Sequence, residues 1–394
     1  MRRSGARGGT GAVVVGGDYQ GLGIVRSLGP RGIPVCVIDD EYSIARYSRY
    51  TTCTVHADDL RDPESIVATA LEAGTRHGLH GWVLYPTREE IVAAFSQHRD
   101  DLARVFRVPT PPWSTVKWAW DKRRMNERAA GLGIPTPRTW YPRNADELEA
   151  VDAEFPLALK PAIKEHFLYA TKAKAWRADD RSTLRRLFAE AASLVGPGEI
   201  MIQELIPGDG RQQFAYCAFF KEMTAVGSMT ARRRRQHPPE FGRASTYVET
   251  VELPELEALS VKFLRSIDYY GLVELEYKLD QRDGRLKLLD VNARTWGYHT
   301  LGRRAGVDFP YLVFADQLGE PVRTSIARPG IRWIRLTTDL PTGALEIVRG
   351  RLPFRQYLRS LFSFDEEAVF SREDPLPGLV EIALVPYLSV RRGF

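Results

Sequence analysis

The sequence predicts a mixed α/β and α+β chain, opened by a Rossmann-like unit. Three observations carry that expectation. Residues 11–40 read as strand, Gly-rich turn, helix and strand; Pro109, Pro111 and Pro112 mark a boundary; and residues 271–294 read as a β-hairpin loaded with acids. At 394 residues, with 44% hydrophobic and 27% charged, the composition is ordinary globular and leaves room for two or three domains.

The first strand is Ala12 to Val15, followed by Gly16-Gly17-Asp18-Tyr19-Gln20-Gly21, a short helix, and Ile33 to Ile38 ending at Asp39-Asp40. The glycines do not form G-x-G-x-x-G. Although Asp39 sits near the distance of a ribose-binding acid, a scaffold or substrate-side role is expected rather than dinucleotide binding. Alternation continues through Pro63 to Gly74, Gly81 to Tyr85 and Arg88 to Ala103. Beyond the prolines, Trp113 to Gly131 reads as one helix, stopped by Gly131-Leu132-Gly133. Strands are expected at Phe155 to Pro161, Thr171 to Trp176, Ile200 to Gly208, Phe214 to Phe220 and Thr224 to Met229. Helices are expected at Arg181 to Val195 and Glu255 to Ile267, and the tail from Arg328 reads as mixed.

No apolar run approaches a membrane span, and Val13-Val14-Val15 runs into glycines too soon for a signal peptide. A cytoplasmic location without a membrane partner is the expectation. Cys36, Cys53 and Cys217 form no C-x-x-C pair and read as reduced thiols. The net charge of +5 suits an anionic ligand such as a nucleotide, and Arg232 to Arg235 lack the interleaved aromatics of a nucleic-acid surface, so no nucleic-acid partner is expected.

The hairpin carries the chemistry. Glu276 on its first strand and Asp290 with Asn292 on its second can converge, because side chains two apart in a strand share a face. Hard oxygen ligands of this kind suit Mg²⁺. The competing reading is a solvated hairpin whose acids pair with Lys278, Arg282, Arg285 and Lys287, and Glu274 shares the face of Glu276 as a rival ligand.

Taken in order, Asp121-Lys122, Leu159-Lys160-Pro161, Gln203-Glu204-Leu205-Ile206-Pro207-Gly208, Glu276 and Asp290-Val291-Asn292-Ala293-Arg294 resemble the ATP-grasp superfamily of biotin carboxylase and the D-alanine:D-alanine ligases. Arg233-Arg234-Arg235-Gln236-His237-Pro238, Phe241-Gly242-Arg243, Gly271-Leu272-Val273-Glu274 and Trp296-Gly297 are similar to that superfamily's bacterial predicted carboxylate–amine ligases. The likeness extends to Arg332-Trp333 and Asp374-Pro375-Leu376-Pro377. It implies a Rossmann-like pre-ATP-grasp domain over residues 1–112 and two α+β lobes clasping ATP. The first, with its lid, would span 113–206, the second, with the metal site, 207–325, and a C-terminal extension 326–394.

The resemblance also implies ATP, Mg²⁺ with Mn²⁺ as a substitute, and small carboxylate and amine substrates joined through an acyl phosphate with release of ADP. Lys122 and Lys160 would face the α- and β-phosphates. Gln203, Glu204, Leu205 and Ile206 would lie along the adenine, with backbone groups and the Gln203 or Glu204 side chain on the base edge and apolar neighbours over its face. Glu276, Asp290 and Asn292 would hold the metal; Glu276 is favoured over Glu274 because its separation from Asp290 resembles the relatives, and Asp290 stands where many have Glu. Arg294 would reach the acyl phosphate or acceptor carboxylate, or else pair with a neighbouring acid. Arg233 and Arg235, on one face of a strand, would clamp an anion while Arg232 and Arg234 face water. Pro161 to Lys172 has no glycine, so Lys164, Lys172 or Lys174 would cover the phosphates instead of a Gly-rich loop. A homodimer is open. The rivals are a nucleotide-binding module without turnover and an NAD(P)-dependent oxidoreductase.

Overall fold

A computed structural model describes residues 9–392 except 164–166, 168, 169, 172, 209, 240 and 243. Lys164, Lys172 and Arg243 therefore lie outside the described residues, and Lys174 within them. The first sheet contains β1 (Ala12–Val15), β2 (Val35–Asp39), β3 (Thr51–His56) and β4 (Val83–Pro86), all parallel in the order β3-β2-β1-β4. Continuous apolar strands suit a parallel sheet covered on both faces, and β1 is buried throughout. Asp39, at the end of β2, is fully buried; it accepts from the Gly17 amide at 2.5 Å and pairs with Arg88 at 2.9 Å. That carboxylate braces the Gly-rich turn and is closed to a ribose.

The second sheet, β5 (Thr139–Trp140), β6 (Leu157–Pro161), β7 (Trp176–Ala178) and β8 (Ile200–Glu204), is antiparallel in the order β5-β8-β6-β7. Helix Arg181–Val195 backs it with Leu184, Leu187, Phe188 and Ala191, and Asp180 caps that helix by accepting from the Thr183 amide. The strand expected from Thr171 begins only at Trp176; Thr171 is helical, its hydroxyl donating to the Phe167 carbonyl at 2.8 Å.

The third sheet follows the order β13-β12-β9-β10-β11-β15-β16, with β14 beside β10. Its strands are β9 (Gln213–Lys221), β10 (Thr224–His237), β11 (Ala244–Val251), β12 (Gly271–Asp280), β13 (Arg285–Asn292), β14 (Ser325–Ile326), β15 (Arg332–Ile334) and β16 (Glu366–Glu367). Helix Pro254–Ser266 packs Leu256, Phe263 and Leu264 against one face, and Trp296, Leu301 and Phe309 share a core with the first sheet. The segment after 326 contributes β15 and β16 to this sheet before forming helices Leu336–Val348, Phe354–Leu361 and Leu376–Arg392.

The same segment reaches the other end of the chain. Arg26, on helix Tyr19–Leu28, pairs with buried Asp374 at 3.0 Å and donates to the carbonyls of Val369 and Asp374; Ser48 and the Arg49 amide complete the Asp374 carboxylate. Arg335 stacks on Tyr19 with its guanidinium 4.0 Å from the ring centre and pairs with buried Glu381.

The single helix expected over Trp113 to Gly131 is two, Trp113–Trp120 and Lys122–Gly131. Asp121 leaves helical geometry (φ −98°, ψ 113°) and caps the second, its side chain accepting from the Arg123 amide at 2.9 Å. The break puts Lys122 at a helix start, where its amide donates to the Ala162 carbonyl at the end of β6.

Candidate active site

The β12–β13 hairpin sets Glu276 opposite Asp290 and Glu274 opposite Asn292. A bulge follows immediately, between Glu276 and Tyr277. Alternation puts all four side chains on one face. Glu276 receives Arg233 at 3.3 Å, and Asp290 is held by the Lys122 ammonium. Cations therefore already sit against both carboxylates, the charge arrangement a divalent ion would meet.

Glu274 lies deeper, 3% exposed. It accepts from Tyr298 Oη at 2.5 Å and Asn292 Nδ2 at 3.0 Å. Burial and the neighbouring Glu276 push its carboxyl up to about 7. Asn292 also donates to Glu276 at 3.3 Å, so its amide nitrogen is engaged with the glutamates and its carbonyl oxygen is the atom fit to ligate. Among the described residues no three His, Cys, Asp or Glu side chains form a metal-binding group. Two carboxylates and an amide oxygen nonetheless suit Mg²⁺, which fills its remaining positions with water and phosphate.

Lys160 ends β6 and donates to Gln203 Oε1 at 2.8 Å, while Gln203 Nε2 donates to Thr139 at 3.0 Å. Loss of hydration, with Lys122 close by, lowers the Lys160 ammonium to about 8. Gln203 is thus committed to holding Lys160. The Glu204 carboxylate is occupied as well, by Lys287 at 3.1 Å, Arg282 at 2.9 Å and the Arg138 amide. In this structure both side chains expected beside a base edge are engaged by protein partners, and the backbone groups of the strand are the other part of that expectation.

The expected pairing of the hairpin's acids with its own cations is found near the tip. Near its tip Asp280 binds Arg282 and Lys287, whose hydrogen bonds hold its carboxyl well below the usual range. Lys278, expected as a partner for acids, instead donates to the carbonyls of Ile206 and Gly208 at 2.8 Å each, tying the exit of β8 to the third sheet.

Arg233 and Arg235 do not form a pair. Irregular register in β10 falls between them and again after Arg235, breaking the simple alternation. Arg233 faces Glu276 and Gln213, whereas Arg235 pairs with fully buried Asp339 at 2.8 Å and lies over Tyr247 and Tyr357. Arg234 pairs with Glu249, and Arg232 donates to the Arg211 carbonyl at 2.9 Å. Arg294 pairs with an acid, Glu89 at the start of helix Glu89–Gln97, at 2.8 Å. Tyr298, Glu89 and Asp339 carry no signal in the local sequence; each reaches its partner through tertiary packing.

Between the second and third sheets opens a cleft of about 930 Å³, bordered by Lys160, Gln203 to Ile206, Lys278 and Leu289 on one side. Its far side is built by Tyr247, Thr342, Gln356 and Ser360. Lys160, at the end of β6, borders this cleft together with Lys278 and Leu289 of the hairpin. No family model matches the chain. Over 298 residues it is 24% identical to a D-aspartate ligase of Enterococcus faecium, spanning 72% of this chain and 70% of that one. Among solved structures it is similar to an L-amino acid ligase from Bacillus licheniformis (TM-score 0.61, 15% identity, 81% of this chain and 76% of that). It is also similar to the ADP complex of an N5-carboxyaminoimidazole ribonucleotide synthetase (0.64, 12%, 86% and 85%). A third likeness is to the biotin carboxylase domain dimer of Hydrogenobacter thermophilus 2-oxoglutarate carboxylase, solved with MgADP and bicarbonate (0.63, 17%, 82% and 73%). The chain has the ATP-grasp fold.

Proposed function

We infer that this protein joins a carboxylate to an amine at the expense of ATP. The observation that carries the reading is the hairpin cluster Glu276, Asp290 and Asn292, closed by Lys122 and Arg233, beside the cleft where Lys160 ends β6. A carboxylate oxygen attacks the γ-phosphorus, the bond to the bridging oxygen breaks, and ADP leaves with that electron pair. The amine nitrogen then attacks the acyl carbon, phosphate departs, and the nitrogen's proton passes to solvent. No nucleophilic side chain is required; positioning and charge neutralisation do the work.

In this reading Lys122 and Lys160 neutralise the nucleotide's phosphates, and the β8 exit from Gln203 to Ile206 borders the adenine with its backbone and apolar side chains. Glu276, Asp290 and the Asn292 carbonyl would hold Mg²⁺, or Mn²⁺ in its place, which when bound offsets charge on the β- and γ-phosphates. Arg233 would turn from Glu276 to the transferred phosphoryl group. Arg294, anchored by Glu89, would set an acceptor carboxylate between the first domain and the hairpin. Arg235 belongs to the scaffold. The named relatives, a D-aspartate ligase and an L-amino acid ligase, support an amino acid as one substrate. A cytoplasmic site of action is part of the same reading; among the described residues no helix is long and apolar enough to cross a membrane.

The test is chemical. Amino acids and small carboxylates are incubated singly with enzyme, ATP and Mg²⁺, with hydroxylamine as trapping amine, and the nucleotide product is identified. ADP with a hydroxamate is the expected outcome. AMP with pyrophosphate, or hydride transfer to NAD(P), would overturn the reading.

A further inference from the structure

Helix Phe354–Leu361 turns its apolar side to water. With about 100° between successive residues of an α-helix, Phe354, Leu358 and the following Phe362 fall in one sector and Arg355 and Arg359 in the next, while buried Tyr357 flanks the apolar sector on the side away from the arginines. Phe354 is 61% exposed and Phe362 84%, and Val348, at the end of the preceding helix, is 85% exposed. Soluble surfaces scatter such side chains singly; a cluster of them marks a contact.

The charge around the cluster says what the contact is. Between Glu346 and Asp365 the sequence holds Arg349, Arg351, Arg355 and Arg359 and no acid; Arg351 pairs with Glu346 and, like Arg359, borders the cleft, which leaves exposed Arg349 and Arg355 for the outer surface. A second copy meeting this patch by two-fold symmetry would set the arginines against themselves. An anionic bilayer answers both halves, with hydrocarbon for the phenylalanines and lipid phosphates for the guanidinium groups. The residues protrude from a convex helix, as interfacial insertion needs, rather than lining a groove for a peptide.

We propose that residues 348–362 dock this protein on an anionic lipid surface, with Val348, Phe354, Leu358 and Phe362 entering the headgroup layer. Gln356 and Ser360, on the inner side of the same helix, border the cleft, so docking would bring its mouth alongside the headgroups. The inference goes beyond the ligase reading and stands without it. It also departs from the expectation that no membrane is a partner, which the sequence reaches by looking for spans and leaders.

The experiment is flotation of the full chain with phosphatidylcholine vesicles, with and without phosphatidylglycerol. Flotation only with the anionic vesicles, weakened by high salt, is expected. Phe354→Ser with Phe362→Ser should weaken binding about tenfold or more, since each removes apolar surface from the lipid. Arg349→Glu with Arg355→Glu should abolish the preference for anionic vesicles. Both variants should keep the melting temperature and ADP release in solution, because none of these four side chains supports the core or borders the cleft. Failure of the wild-type chain to float, or binding unchanged by the substitutions, overturns the proposal. So does a dimer in light scattering that the phenylalanine variant dissociates, with no vesicle binding.

Discussion

Glu276 stands directly opposite Asp290 across the β12–β13 hairpin, and each carboxylate is met by a cation from a different element: Arg233 of β10 for the first, Lys122 of a helix start for the second. The pair ties β10 and the start of helix Lys122–Gly131 to one face of the hairpin.

Replacing either acid should stop turnover. Glu276→Gln and Asp290→Asn keep side-chain size and hydrogen bonding but remove the charge a divalent ion needs, and ADP release should fall at least about a hundredfold. Asn292→Ala should act in the same direction. Thermal melts should remain close to wild type for the two isosteric changes. Near-normal ADP release from either acid variant would remove the metal assignment.

Arg233 and Arg235 should separate into two phenotypes. Arg233→Ala should reduce ADP release with little change in unfolding. Arg235→Ala leaves buried Asp339 without its cation, a loss that costs about 3–5 kcal/mol. Urea unfolding should register that cost, and activity at low temperature should suffer less than in Arg233→Ala. Equal activity losses at equal stability would return both residues to one clamp.

Nucleotide affinity should depend on pH through Lys160. Its ammonium titrates near 8, below the ordinary lysine value of about 10.4, so the free protein carries the charge below that pH and loses it above. A phosphate favours the charged form, so binding takes up a proton at alkaline pH. Affinity should then decline by up to about tenfold per unit above pH 8. Lys160→Arg stays charged throughout and should flatten the profile whatever its absolute affinity. Calorimetric titration with ADP reads both, and a flat wild-type curve up to about pH 9.5 would remove Lys160 from the phosphate site.

Much of this arrangement is legible in the chain because strands obey a period of two. The acids of β12 and β13 could be expected to converge on one face from spacing and resemblance alone, while their register, Glu276 opposite Asp290, comes from the structure. The Arg233–Arg235 pairing fails for the same reason inverted, since irregular register breaks the period and nothing in a run of arginines announces it. Trp113 to Gly131 misleads because Asp121 is a tolerable helix residue whose capping bond appears only in three dimensions. Glu89 with Arg294, and Asp339 with Arg235, are contacts between distant segments that local patterns do not encode.

The ion pair between Arg26 and Asp374 has a temporal consequence. Ribosomes deliver the amino-terminal sheet first, yet one of the helices covering it carries a guanidinium whose counter-charge is separated from it by 348 residues. Until that late stretch emerges, Arg26 must stay hydrated, and the surface around it cannot close. The nascent first sheet and its helices therefore wait, partly open, until the stretch around Asp374 has been made, and a chain stalled before it would present that unfinished surface to chaperones and proteases.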